Sequence, residues 1–344
     1  MKRRDLVRAS ASAAALIAIA GTAGLAGSRE ARADASFDTW LAAFRREAAA
    51  SGISSSTLDR ALDGLSPVQR VIDLDRRQPE SRITFSDYLA RTISDARVAE
   101  GRRLGERYRS LIEDVSAQYG VQPRFILALW GIESSYGGNT GGFSVISALA
   151  TLAWEGRRGE FFRSELLAAL RILDEGHVDT GNMQGSWAGA MGQSQFMPSS
   201  FHRFAVDFDG DGRRDIWTTE ADVFASAANY LAQSGWDDSI TWGRRVSVPA
   251  TIDQSQADLD VKHPLNHWNS VGVRRADGTP LPDASVEASL LLPEGVSGPA
   301  FLVYENFRVI LRWNRSTYFA TSVGLLSDRI GQCEDHDVGL RCVL

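Results

Sequence analysis

Apolar side chains recur at three- and four-residue steps through most of the chain, which is the spacing of amphipathic helices. Phe37, Trp40, Leu41 and Phe44 begin this pattern. Helices are predicted in six segments: 37–66, 80–119, 124–135, 144–155, 160–175 and 221–234. The segment 80–119 should end in a long charged helix. A last helix is predicted over residues 316–330. The pattern therefore predicts a mainly α protein.

The pattern changes after Trp236, where prolines become frequent and short runs alternate between apolar and polar residues. Such runs, joined by turns such as Asp277-Gly278, are typical of short strands. Strands are predicted at 245–249, 270–274, 285–292 and 307–313. After residues 1–33, we divide the chain into a helical domain (34–120), a helical core (121–239), a small β-containing region (240–312) and a C-terminal helix with its tail (313–344).

One predicted helix is nearly all apolar from Phe125 to Glu133 and carries a single charge over that run. Pro123 suits its first turn, and Glu133 lies at its C-terminal end. The face of Glu133 is shared by side chains three, four and seven residues earlier, Trp130, Leu129 and Ile126. Burial among them raises the pKa of the carboxyl, and the helix C-terminus disfavours the anion further. A glutamic acid that stays protonated near neutral pH can protonate a glycosidic oxygen. The alternative is an exposed or arginine-paired helix-end glutamate.

A segment rich in small residues, 189–199, follows in the predicted core. Small residues let the backbone approach a ligand closely, and Gln195 offers an amide donor and an acceptor. The composition fits a polar groove wall and a packed turn equally well.

Acidic residues alternate with glycines between residues 207 and 215. Oxygen ligands at alternate positions followed by glycine resemble an EF-hand calcium loop, in which Asp207, Asp209 and Asp211 would supply carboxylates and Arg213 a backbone carbonyl. The twelfth position, where a glutamate usually closes such a loop, holds Thr218. We predict a structural Ca²⁺; the alternative is a polar turn that binds nothing.

The N-terminus has the features of an export signal. A basic start is followed by an uncharged Ala/Gly-rich run from Ala9 to Gly27 and by an A-x-A pattern that ends at Ala33. We predict cleavage after Ala33 and a periplasmic protein, and the paired Arg3-Arg4 suggests the twin-arginine route. The alternative is a transmembrane anchor.

Composition and charge exclude several classes of protein. The chain has 344 residues, 44% of them hydrophobic, and a formal net charge of −6. Residues 1–33 carry six basic and two acidic side chains, so the remaining 311 residues have a net charge of −10. A disordered protein is excluded, and an acidic chain is not expected to bind nucleic acid. In an oxidising compartment Cys333 and Cys342 can form a disulfide that pins the tail; two free thiols are the alternative.

Several ordered motifs resemble the lytic murein transglycosylase B family. They are Trp130-Gly131-Ile132-Glu133-Ser134-Ser135-Tyr136-Gly137, Ala148-Leu149-Ala150-Thr151-Leu152, Ser186-Trp187-Ala188-Gly189-Ala190-Met191-Gly192 through Phe196-Met197-Pro198-Ser199-Ser200, Ala228-Asn229-Tyr230-Leu231 and the run from Phe307 to Ser316. The similarity extends from about residue 37 to 330.

This resemblance implies a lysozyme-like helical core with flanking helices and a small β domain, and action on peptidoglycan glycan strands. It implies that Glu133 is the sole catalytic acid and base. It assigns further residues to a substrate groove: Ser186, Gln195, Tyr88, Tyr230, Asn314 and Trp313, the last standing where some relatives carry tyrosine. It also implies that Asp222 closes the acidic loop.

A lytic transglycosylase needs one carboxyl because the substrate's own hydroxyl replaces water, whereas glycoside hydrolases normally need two. We therefore expect 1,6-anhydro products and no organic cofactor. The alternatives are a lysozyme-type muramidase and a non-catalytic, calcium-dependent wall-binding protein. We expect a monomer whose candidate protein partners belong to cell-wall synthesis or remodelling.

Overall fold

The structure, a computed structural model, describes residues 37–77 and 83–332. Helices dominate this part of the chain, as predicted. In chain order they are α1 (Phe37–Ala50), α2 (Ser55–Leu62), α3 (Gln69–Arg76), α4 (Phe85–Thr92), α5 (Asp95–Arg107), α6 (Arg109–Tyr119), α7 (Pro123–Ser134), α8 (Val145–Glu155), α9 (Gly159–Asp174), α10 (Pro198–Phe204), α11 (Glu220–Gln233), α12 (Leu265–Ser270), α13 (Glu305–Trp313) and α14 (Thr317–Ile330).

Two of the predicted helical segments are interrupted. The segment 37–66 divides into α1 and α2 because Gly52 adopts a φ of +92° and Ser54 caps α2 by accepting a hydrogen bond from the Thr57 amide. The long charged helix divides into α5 and α6 at Tyr108, whose φ of −105° and ψ of 19° are not helical. The Tyr108 ring packs edge-on against Phe224, so the break lets an aromatic side chain enter the core.

The helix that carries Glu133 is enclosed on almost every side. Ten of the twelve residues of α7 are buried, and the helix packs against α5, α6, α11 and α14. Its near-complete apolarity is therefore explained by burial rather than by a membrane. No described helix is both long enough and apolar enough to cross a bilayer. A second apolar core forms where α8 and α9 pack against each other and against α1 to α3.

The C-terminal half of the chain contains a five-stranded antiparallel sheet with the strand order β4-β6-β7-β3-β5. Its strands are β3 (Gly243–Ser247), β4 (His263–Pro264), β5 (Arg274–Arg275), β6 (Glu287–Leu291) and β7 (Ala300–Val303). A second, two-stranded sheet pairs β1 (Phe143–Ser144) with β2 (Gln184–Gly185), which places the segment after α7 beside the segment before residue 189.

Two strand predictions need correction. The run 307–313 is not a strand but the body of α13, because the buried residues Asn306, Phe307, Val309 and Ile310 recur at three-residue steps. Its two arginines, Arg308 and Arg312, are four residues apart and share another face of the helix. The predicted strand 270–274 is mostly the end of α12 and a turn, and only Arg274 joins the sheet. The fully buried strand β7 was missed because it has no polar alternation.

Candidate active site

Glu133 lies in the last turn of α7, where the chain leaves the helix through two residues of positive φ, Ser135 and Tyr136. The side chain is half-buried and faces a recess that has about 210 Å³ of empty space, including its open mouth. The recess itself has room for about one water molecule. Its walls are largely apolar, and Glu133 is the one carboxyl in them. The residues that line the recess are Ile126, Leu129, Trp130, Glu133, Gln193, Ser194, Val223, Phe224, Ala227 and Trp313.

The recess makes Glu133 a weak acid. Burial raises the pKa of its carboxyl from 4.5 to about 8, and a hydrogen bond from Trp313 acts in the opposite direction. Trp313 Nε1 donates to Glu133 Oε1 over 2.6 Å. Loss of hydration therefore outweighs the single donor, and the carboxyl is protonated at neutral pH. The raised pKa of Glu133 that the apolar helix face predicted is therefore present in the structure.

Trp313 belongs to a cluster of aromatic rings beside Glu133. It is the last residue of α13, and its ring lies 4.7 Å from that of Tyr230 and 5.2 Å from that of Phe196. Tyr230 also packs against Phe204, with the ring centres 4.3 Å apart. Its hydroxyl donates to the Arg312 carbonyl over 2.7 Å, which fixes the end of α13. The structure thus brings the predicted groove residues Tyr230 and Trp313 together at Glu133.

Tyr88 reaches the same region from α4. Burial, together with a smaller effect of the Glu133 charge, raises the pKa of its hydroxyl to about 12, which places the two side chains within electrostatic reach of each other. Its ring packs against Tyr318 of α14 at 5.7 Å. At neutral pH Tyr88 is therefore an uncharged hydroxyl near the carboxyl.

Ser186 lies just before the small-residue segment and Gln195 lies within it, and neither is among the residues that line the recess of Glu133. Ser186 Oγ accepts a hydrogen bond from the Ala190 amide over 3.0 Å, which closes a tight turn. Gln195 adopts a φ of +48°, and its Nε2 donates to the Thr140 carbonyl at 3.0 Å and to the Gly192 carbonyl at 2.8 Å. Strained backbone of this kind persists only where the surroundings hold it in place.

Two polar residues of the small-residue segment, Gln193 and Ser194, line the recess of Glu133 and were not predicted as site residues. Gln193 Oε1 accepts from Trp130 Nε1 over 2.6 Å, and its Nε2 donates to the Trp217 carbonyl over 3.0 Å. Ser194 follows it and lines the recess of Glu133. The signal that could have found them is their place in the motif, since Gln193 and Ser194 are the polar residues that immediately precede Gln195.

Asn314 directly follows Trp313 and is half-buried. Its Oδ1 accepts from the Ser316 amide over 3.0 Å, in the turn that leads into α14. The side chain therefore fixes the connection between the helix that ends at Trp313 and the helix that packs against α7. This contact is structural, and it leaves the amide nitrogen of Asn314 for other partners.

The acidic loop is already folded around its carboxylates. Asp207, Asp209 and Asp211 bring oxygen atoms within 4.8 Å of one another. Asp207 accepts from the Gly210 amide at 2.8 Å and from the Gly212 amide at 2.9 Å, so its two oxygens hold the turn. Hard oxygen donors at this separation fit a calcium ion.

Asp222 and Arg213 have different surroundings from the three clustered carboxylates of Asp207, Asp209 and Asp211. Asp222 is fully buried, and its two oxygens accept from the amides of Phe208 at 2.8 Å and Asp215 at 2.6 Å, which ties both ends of the loop to α11. Burial raises its pKa to about 6. The Arg213 amide donates to Asp211, and its guanidinium donates to the His177 carbonyl.

Cys333, Cys342 and the predicted export signal lie outside the described residues.

A mainly helical fold with one weakly acidic glutamic acid beside a cluster of aromatic rings is typical of lysozyme-like enzymes that act on glycans. The chain belongs to the transglycosylase SLT domain family, whose model matches residues 36–328. The family resemblance, the enzyme class that it implies and the lysozyme-like, mainly α fold are thereby confirmed.

Three relatives show how far the similarity extends. The chain is 32% identical over 246 residues to the membrane-bound lytic murein transglycosylase B of Escherichia coli (strain K12), a match that covers 71% of this chain and 66%, just under two thirds, of that relative. SltB3 from Pseudomonas aeruginosa, solved with NAG-anhNAM-pentapeptide, is 47% identical, with 86% and 79% of the two chains covered and a TM-score of 0.84. The Escherichia coli lytic transglycosylase Slt35, solved with calcium, is 28% identical, with 85% and 92% covered and a TM-score of 0.73.

Proposed function

We propose that this protein cleaves the β-1,4 bond between N-acetylmuramic acid and N-acetylglucosamine in peptidoglycan, without water, and that Glu133 is its single acid and base. The observation that carries the proposal is the isolation of Glu133, whose pKa is about 8 and which is the one carboxyl among the residues lining its recess. A second carboxyl, which hydrolases normally use, is not needed when the substrate supplies the nucleophile. SltB3, solved with NAG-NAM-pentapeptide and with the anhydro form, supports this substrate class.

In the first step, protonated Glu133 donates its proton to the glycosidic oxygen, and the bond from that oxygen to C1 of the muramic acid breaks. The substrate's own N-acetyl group stabilises the positive charge on C1. The ionised Glu133 keeps the hydrogen bond from Trp313. In the second step, Glu133 accepts the proton of the C6 hydroxyl of the same sugar, whose oxygen closes on C1 to give the 1,6-anhydro product.

The aromatic cluster of Trp313, Tyr230 and Phe196 provides an apolar surface beside the carboxyl, and sugar rings stack on such surfaces. We assign glycan binding to this cluster together with Tyr88, Ser186, Gln195 and Asn314. Binding through stacking and neutral hydrogen bonds suits an acidic chain and an anionic wall polymer, because it does not depend on attraction between opposite charges.

The acidic loop would hold a structural Ca²⁺ through Asp207, Asp209 and Asp211, with Arg213 contributing its carbonyl. Support comes from the closeness of the three carboxylates and from the Slt35 structure with calcium. Asp222, as the later acid, ties both ends of the loop to α11, and each of its oxygens accepts one backbone hydrogen bond and retains a lone pair with which it would close the ion site. An ion there would supply no step of the reaction.

A periplasmic location, reached through an export signal cleaved after Ala33, remains part of the proposal. Peptidoglycan lies outside the cytoplasm, so an enzyme that acts on it must be exported. A disulfide between Cys333 and Cys342 would follow from that compartment.

The proposal is tested by mass analysis of muropeptides after digestion of purified peptidoglycan. We expect 1,6-anhydro products from the wild type and none from Glu133→Gln. Products with ordinary reducing ends would identify a muramidase, and glycan binding without turnover in the wild type would identify a wall-binding protein. Full activity in Glu133→Gln would refute the role of Glu133.

A further inference from the structure

Two consecutive residues directly after the helix of Glu133 adopt a left-handed backbone conformation. Ser135 has a φ of +52° and Tyr136 a φ of +59°. Residues with a Cβ atom avoid this conformation, because the Cβ atom lies too close to the following carbonyl oxygen. Such strain persists only where the surrounding structure holds it in place, so the contacts of these two residues show what fixes the end of α7.

Arg97 of α5 holds both strained residues. The Tyr136 hydroxyl donates to the Arg97 carbonyl over 2.8 Å, and Arg97 Nη2 donates to Ser135 Oγ over 3.1 Å. Burial raises the pKa of the Tyr136 hydroxyl, so the hydroxyl stays protonated and remains a donor. The turn after α7 is therefore tied to a neighbouring helix by both of its side chains.

Two glycines leave room for the Tyr136 ring between α5 and α7. A Cβ atom at Gly131 of α7 would lie 2.7 Å from Cζ of Tyr136, and one at Gly101 of α5 would overlap its hydroxyl oxygen. The ring packs edge-on against Trp130, with the ring centres 5.3 Å apart, and Trp130 lines the recess of Glu133. Tyr136 therefore fills the space between α5 and the end of the helix that carries the carboxyl.

We propose that Tyr136 is a positioning residue that holds the last turn of α7 and thereby keeps the carboxyl of Glu133 in its recess. Burial fixes most of α7, but Glu133 belongs to the turn in which the chain leaves the helix. The Tyr136 amide donates to the Trp130 carbonyl over 3.2 Å, so the strained turn closes directly onto this end of the helix. The inference rests on the proposed function and adds to it a residue that acts through α7.

The pKa of Glu133 reports how deeply its carboxyl lies in the recess, because burial and the hydrogen bond from Trp313 determine it. Other charged and titratable groups lie on the elements that pack around α7, and replacing Tyr136 by phenylalanine leaves their charges unchanged. They are Tyr88 on α4, Arg97 and Glu100 on α5, Tyr108 between α5 and α6, Glu220 and Tyr230 on α11, and Tyr318 on α14. The hydroxyls of these tyrosines have raised pKa values and stay neutral near pH 8.

The first test is Tyr136→Phe, which removes the hydroxyl and keeps the ring. The loosened turn lets water reach the carboxyl, so the pKa of Glu133 should fall from about 8 by about one unit. The titration is followed by the infrared absorption of the protonated carboxyl, with Glu133→Gln as the blank. In the same variant, kcat should fall about tenfold at unchanged KM.

Tyr119→Phe is the matched control. The Tyr119 hydroxyl accepts a 3.3 Å hydrogen bond from Gln118 Nε2, and neither residue lines the recess. This variant should change neither the titration of Glu133 nor kcat.

Ser135→Gly separates positioning from folding. Glycine adopts a positive φ without strain, and the variant also loses the hydrogen bond from Arg97. Its Tm should not fall, because strain is relieved. Its kcat should still fall severalfold, because the end of α7 is held less tightly.

An unchanged titration in correctly folded Tyr136→Phe would overturn the inference. So would a rise in KM with unchanged kcat, because it would mean that the hydroxyl binds the glycan. Full activity in Ser135→Gly would show that the turn does not position the carboxyl. The titration does not depend on turnover, so it can succeed or fail independently of the proposed function, which fails instead if Glu133→Gln retains activity.

Discussion

The hydrogen bond from Trp313 to Glu133 can be removed with little change to the packing around it. In Trp313→Phe the indole Nε1, which donates to Oε1 over 2.6 Å, is lost. The remaining ring can still pack against Tyr230 and Phe196. The substitution therefore separates the role of the donor in proton transfer from the role of the aromatic surface in binding.

The magnitude follows from the state of Glu133 that the bond favours. A hydrogen bond to a charged group contributes about 1.5–3 kcal/mol, and a half-buried carboxyl justifies the lower end. About 1.4 kcal/mol corresponds to one pKa unit and to a factor of about ten in rate. Because the bond stabilises the anion, its loss should raise the pKa of Glu133 from about 8 by about one unit. It should also slow the first step, which forms the anion, about tenfold.

The assay is the pH dependence of kcat for release of soluble muropeptides. The alkaline limb of the profile, where Glu133 loses its proton, should move upward by about one pH unit, and the plateau should fall about tenfold. Trp236→Phe is a matched control, because Trp236 Nε1 donates a 2.9 Å hydrogen bond to Gln122 Oε1 and neither residue lines the recess. An unshifted limb in Trp313→Phe, or an equal shift in the control, would refute the reasoning.

Three further predictions concern stability. The folded pKa of Glu133, about 8, lies above its ordinary value of 4.5, so the wild type has its full stability below about pH 4.5 and loses part of it as the pH rises to about 8. Glu133→Gln should match the wild type in urea unfolding at pH 4.5 and exceed it at pH 9 by about 5 kcal/mol, at about 1.4 kcal/mol for each pKa unit. Calcium should raise the Tm of the wild type but not of Asp207→Asn, while Asp277→Asn, in an exposed turn, should respond normally; a response in Asp207→Asn would exclude the acidic loop. Gly131→Ala would place a Cβ 2.7 Å from Cζ of Tyr136 and should cost about 1–3 kcal/mol in chemical denaturation; a neutral result would contradict the close packing.

The apolar surroundings of Glu133 could be predicted because they depend on local sequence. Side chains three, four and seven residues apart share a helix face in any α-helix, so Trp130, Leu129 and Ile126 had to surround the carboxyl. The same reasoning identified the acidic loop, whose proposed ligands are alternate residues of one segment. Local spacing therefore accounts for the parts of the site that a single element builds.

The contact from Trp313 could not be predicted in this way. It joins residues 180 positions apart and depends on α13 being a helix, whereas the alternation of apolar and polar residues over 307–313 favoured a strand. The role of Asp222 was also hidden, since nothing local shows that its oxygens accept from Phe208 and Asp215. Tertiary packing decided these contacts, and sequence periodicity does not encode it.

The central claim, that Glu133 alone performs both proton transfers and that no water enters the product, is tested most directly by digestion of peptidoglycan in ¹⁸O-labelled water. We predict that the muramoyl ends of the products contain no ¹⁸O and have the mass of the 1,6-anhydro form. Incorporation of one ¹⁸O atom at each new muramoyl end would contradict the account and identify a hydrolase.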